Sequence, residues 1–173
     1  MSKLAIIREI LHDNFRHSDQ NVLTEIDTNN RGRRFEVNYK IVKQPQIDFE
    51  LYRFSEAALP FFKNISGLKK MCDYILFAEE GNYLYIFVIE LKLGNLSAKK
   101  QLNAASEFVQ FIINSSNRIG KEIDANYKIK KVRICDEMIK KRKLKVDKNI
   151  QFDENDYCEY PHANFYLEPL MRY

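Results

Sequence analysis

The chain has no tryptophan and only five glycines, four prolines, three cysteines and three histidines in 173 residues. So few turn formers predict regular elements joined by short loops. Cys72, Cys135 and Cys158 are far apart and odd in number. They provide neither a CxxC pair nor a disulfide framework, and a reducing cytoplasm is the expected compartment. His12 and His17 are off the same-face helical spacing and His162 is remote, so no histidine metal box is expected. No apolar run reaches membrane-spanning length, and the opening MSKLAIIREILHDNF interleaves Lys3, Arg8 and Glu9 with its apolar residues. Neither a signal peptide nor a membrane anchor is therefore expected. A glycine-rich phosphate loop is lacking too, because RGRR at 31–34 has no Lys-Ser/Thr ending.

What is present fits one globular domain over residues 1–173, with 45% hydrophobic and 30% charged residues. The net charge of +4 is unevenly spread. Lys121 to Lys148 holds 11 basic and 5 acidic residues, whereas Asn149 to Tyr173 holds 1 basic and 5 acidic. The basic segment, with KKRKLKVDK at 140–148, fits either a phosphate backbone or a solvated lysine-rich face.

Periodicity predicts a helix over 3–15, with Leu4, Ile7, Ile10, Leu11 and Phe15 on one stripe. A short ordered piece around Val22–Ile26 precedes two strands with one wet face each, at 33–42 and 46–54. Residues 55–68 are ambiguous around Pro60. Strands at 72–78 and 83–93 flank a turn at Glu79–Asn82. A helix over 97–114 follows, with Ser97 as N-cap and Leu102, Ala105, Phe108, Val109 and Ile112 inward. A strand at 127–135, a short helix near 136–142 and late strands near 149–152 and 164–167 complete an α+β or mixed α/β order.

The hairpin Cys72–Lys92, CDYILFAEEGNYLYIFVIELK, is the most informative stretch. Its second arm is apolar on both faces up to Val88, as in a central strand, and then Glu90 and Lys92 emerge side by side. With a four-residue turn, Asp73 falls opposite Val88 and diagonal to Glu90 on the same face, about 7–8 Å away at the backbone. Two carboxylates so placed suit one hard divalent ion, Mg²⁺ or Mn²⁺. Lys92 beside them would orient or deprotonate water, or stabilise phosphate charge. The alternative is an ordinary strand-end Glu–Lys ion pair.

Asp73, the I-E-L-K run at Ile89–Lys92 and the helix that follows resemble the PD-(D/E)xK nuclease superfamily. The resemblance implies a restriction-endonuclease-like core, a mixed central sheet flanked by helices. It implies metal-dependent hydrolysis of phosphodiester bonds in DNA, less often RNA. Asp73 and Glu90 carry over as metal ligands, Lys92 as the catalytic lysine, and Gln101 as the helix glutamine of exonuclease-like members. Cys72 stands where the family has proline. For the first-helix acid, Glu9 lies opposite the apolar stripe, so Glu25 is the preferred third metal ligand. A lone catalytic domain suggests a homodimer or a subunit of a larger restriction, repair or anti-phage defence system. A nuclease-fold subunit without activity, acting in nucleic-acid binding or assembly, is the alternative, and an unrelated α+β interaction domain is a third.

Overall fold

The computed structural model describes residues 2–28, 34–55, 58–92, 97–123, 126–135 and 150–172. Helix α1 (Lys3–Ile10) is shorter than the periodicity predicts. Leu11 leaves the helix in extended geometry, and His12 then caps a separate 3₁₀ turn at Asp13–Phe15 by accepting the Asn14 N–H. Short polar side chains compete with the backbone in this way and end helices.

Strands β1 (Val22–Thr28) and β2 (Arg34–Val42) form an antiparallel hairpin, so the ordered piece near Val22 is a full strand. Two residues of β8 (Phe165–Tyr166) join β2 in parallel and complete a three-stranded sheet. The larger sheet has the order β3-β4-β5-β6-β7, from β3 (Asp48–Tyr52), β4 (Tyr74–Glu80), β5 (Tyr83–Lys92), β6 (Tyr127–Cys135) and β7 (Tyr157–Tyr160). Its first three strands are antiparallel, and β6 and β7 run parallel to β5. Helix α2 (Lys99–Arg118) makes the crossover that a parallel β5–β6 pair requires. It starts two residues later than the sequence suggests, with Ala98 at the cap position, while the Ser97 hydroxyl accepts the Lys99 N–H at 3.5 Å. A short helix α3 (Leu167–Met171) follows β8.

The expected wet face of β3 is closed, since Glu50, Leu51 and Tyr52 are all buried. Glu50 enters the interior because two arginines meet it. Arg8 Nε and Arg16 Nε each approach its carboxylate at 2.6 Å. A strand near 149–152 does not form over 150–152. The helix near 136–142, the KKRKLKVDK run and RGRR up to Arg33 lie outside the described residues.

The larger sheet separates two hydrophobic cores. Leu84, Ile86 and Val88 of β5 pack with α1 and α2 on one face. Phe87, Ile89 and Leu91 pack with Tyr39, Phe165 and Leu170 on the other. Two lines of contact tie helix and small sheet to this partition. The Glu79 carboxylate accepts the Lys3 N–H at 2.8 Å and also meets Ser2, anchoring the α1 N-terminus where negative charge is favourable. The buried Tyr74 hydroxyl donates to the Thr24 carbonyl and accepts the Thr24 N–H, both at 3.1 Å.

Candidate active site

The β4–β5 turn has two residues, not four, because Glu80 pairs with Tyr83. Gly81 supplies the positive φ of 60° that such a turn needs at its first position. The whole hairpin is thus two residues out of the expected register. Tyr74 pairs with Ile89, so the next step of the ladder sets Asp73 across from Glu90 rather than Val88. A two-residue shift preserves the face. Asp73, Glu90 and Lys92 therefore still lie on the α2 side of the sheet.

Local geometry draws Asp73 in. Its carboxylate Oδ2 accepts the backbone N–H of Leu91 at 2.7 Å, taking the place of a strand carbonyl where the ladder ends. Burial pushes the Asp73 carboxyl above its ordinary value, against that hydrogen bond and the charges of Lys92 and Arg53. Glu90 is 3% exposed, and among the described residues its Oε2 has no hydrogen-bond partner. Its Oε1 is ion-paired with Lys92 Nζ. Burial first, and the Asp73 charge second, push Glu90 up to about 7 in spite of Lys92. Two carboxylates close enough to feel each other, one with a buried bare oxygen, form a site that a cation would relieve.

The other expected members are not bonded to this pair among the described residues. Gln101 lies half-buried in the first turn of α2, and among the described residues no hydrogen bond links it to Asp73, Glu90 or Lys92. Glu25 sits on β1, opposite Val37 in the small sheet, and its charge acts on the Tyr74 hydroxyl. It does not complete a ligand set, since no group of three metal-ligating side chains occurs among the described residues. Its strand is held behind the larger sheet by the Tyr74–Thr24 bonds, on the face away from Asp73. Glu9 is at the surface, paired with Lys121 at 2.8 Å.

Two residues join the neighbourhood without a sequence signal of their own. Arg53, at the end of β3, lies near enough to hold Asp73 down, with its guanidinium carbon 5.4 Å from the Tyr74 ring centre. Arg133 pairs with Glu90 in the β5–β6 register and is buried, its Nη1 drawn to Glu159 at 2.6 Å. Only the parallel register, which no sequence pattern specifies, brings Arg133 beside Glu90.

No family model, curated protein or solved structure matches this chain. The mixed α/β architecture and the side chains around Glu90 are therefore what bears on function. No helix among the described residues is long and apolar enough to cross a membrane.

Proposed function

We propose that the protein is a metal-dependent nuclease with a restriction-endonuclease-like core, hydrolysing phosphodiester bonds, most readily in DNA. The observation that carries this reading is Glu90, buried with one oxygen bare and the other on Lys92, and raised to about 7 partly by Asp73. The order α1, the β1–β2 hairpin, three antiparallel strands, α2 and a parallel β6 holds the elements of such a core with the hairpin inserted after α1.

Asp73 and Glu90 would hold Mg²⁺ or Mn²⁺, whose hard character suits carboxylate oxygens. The ion supplies Lewis acidity toward water and toward a phosphate oxygen. Lys92 gives up part of its pairing with Glu90 and offers its ammonium to the phosphate, where negative charge builds as the P–O bond breaks. Leu91 fixes the Asp73 carboxylate through its N–H, so that one oxygen is oriented before substrate arrives.

The test is incubation of the purified protein with linear, circular and single-stranded DNA, and with RNA, with and without Mn²⁺. Cleavage is expected with the ion, and Lys92→Ala is expected to abolish it with the fold intact. Cleavage that survives EDTA, or the Asp73→Ala change, overturns the mechanism. A second reading, a subunit of the same fold that binds nucleic acid without cutting, is favoured by one observation. Only two carboxylates meet at the site, with no third ligand among the described residues.

A further inference from the structure

A cleft of about 790 Å³ opens directly at Asp73. Arg53, Lys69 and Lys70 line it against the single carboxylate of Asp73, and Phe15 and Phe54 form an aromatic wall with ring centres 5.0 Å apart. The segment that immediately precedes Lys69 in the chain, Phe61 to Leu68, is exposed at every residue. It nevertheless carries Phe61 at 71% exposure, Phe62 at 39% and Ile65 at 60%. Phe61 and Phe62 stand together, ring centres 4.7 Å apart, and Lys63 follows them.

Bare apolar rings at this exposure are costly unless something covers them. The neighbouring charge decides what. Three cations against one carboxylate favour a polyanion, and flat rings beside a cationic groove suit unpaired bases, whose faces are open. In a duplex those faces are stacked away, and only phosphates would meet the groove. We propose that this cleft, with the exposed rings of the segment leading to Lys69, takes single-stranded nucleic acid, with phosphates on Arg53, Lys69 and Lys70 and bases on Phe61 and Phe62. This substrate class rests on the nuclease reading above for its connection to Asp73, but the binding itself needs no metal.

The test is fluorescence anisotropy of the full chain in EDTA, with a labelled thymidine 20-mer and a labelled hairpin duplex. The single strand is expected to bind more tightly. The Phe61→Ala/Phe62→Ala variant is expected to lose about 10-fold to 100-fold of that affinity, with little change toward the duplex. Lys69→Ala/Lys70→Ala is expected to flatten the dependence of log affinity on log salt by about 1.4. All four side chains are partly or largely exposed, and thermal melts would verify that both variants fold. Equal or tighter duplex binding, or single-strand affinity unchanged by loss of the rings, overturns the proposal. So does a dimer in sedimentation, or binding to anionic vesicles, that disappears with the rings. Single-strand binding without any cleavage in Mn²⁺ supports this proposal and overturns the catalytic reading. Cleavage that persists without single-strand preference does the reverse.

Discussion

The backbone N–H of Leu91 donates to the Asp73 carboxylate at 2.7 Å, so one side chain both ends a strand ladder and faces the site. The two roles separate by substitution. Asp73→Asn keeps an oxygen for Leu91 and removes a charge disfavoured by burial and by Glu90, so it should not destabilise the metal-free protein while removing metal-dependent cleavage. Asp73→Ala leaves the N–H unmet and should cost about 1–3 kcal/mol as well. Urea unfolding of both variants, beside a cleavage assay, checks the separation.

Glu90 sets a pH dependence for the metal-free protein. Its folded value, about 7, lies above its ordinary 4.5. The folded state then binds more protons than the unfolded one between those values, and stability falls as pH rises through that window. Glu90→Gln lacks this penalty. Its stability relative to the parent should improve by about 1–3 kcal/mol between pH 5 and pH 8 in EDTA. Denaturation at the two pH values measures this, and an equal difference at both would remove Glu90 as the source.

A cation that relieves the same repulsion should stabilise the folded state by mass action. Mn²⁺ at pH 8 is expected to raise the melting temperature of the parent and of Lys92→Ala. It should leave Asp73→Asn and Glu90→Gln unmoved. Differential scanning fluorimetry across a Mn²⁺ titration reads the shift directly, separately from any cleavage.

Glu50 behaves oppositely. Burial would push its carboxyl up, but the hydrogen bonds from Arg16 and Arg8 prevail and hold it below the ordinary value of 4.5. Its contribution is present above 4.5 and is lost as pH falls through the lower folded value. Removing both Arg8 and Arg16 strands a buried carboxylate and should cost about 3–5 kcal/mol at pH 7. Glu50→Gln should cost less, because both arginines are half-exposed and can return to water. Thermal unfolding at pH 7 and pH 4 tests the order, and the gap should narrow at the lower pH.

Tyr74→Phe deletes the hydroxyl that bridges both backbone groups of Thr24. A cost of about 1–3 kcal/mol is expected. Hydrogen exchange should quicken at the β1 amides around Thr24 and stay slow in β5.

Much of this molecule was legible in alternation and helical spacing. β5 was apparent because apolar residues on both its faces demand a central position, and α2 because Leu102, Ala105, Val109 and Ile112 recur at helical spacing. The pairing of Asp73 with Glu90's face was legible as well, since an even slip in register leaves parity intact. The slip itself came from Gly81, whose capacity for a two-residue turn competed with a four-residue reading of Glu79–Asn82. The burial of Glu50 was not legible, because its two arginines come from α1 and from the turn after it, more than 30 residues away. Arg53 and Arg133 were hidden for the same reason. Their roles come from register and strand order rather than from any local pattern.

The central sheet divides the interior, and the division runs through β5 residue by residue. Leu84, Ile86, Val88 and Glu90 answer to the helices and the site, while Phe87, Ile89 and Leu91 answer to the small sheet behind. Neighbouring residues in one strand therefore answer to different packing constraints. The rear compartment is free to trade volumes among Tyr39, Phe165 and Leu170 as long as its total packing is kept. The front compartment, equally apolar between β5 and the helices, also borders the charges of Glu90 and Lys92. A volume change at Phe87 or Ile89 is felt by the small sheet, whereas one at Ile86 or Val88 is felt by the helices that flank the site.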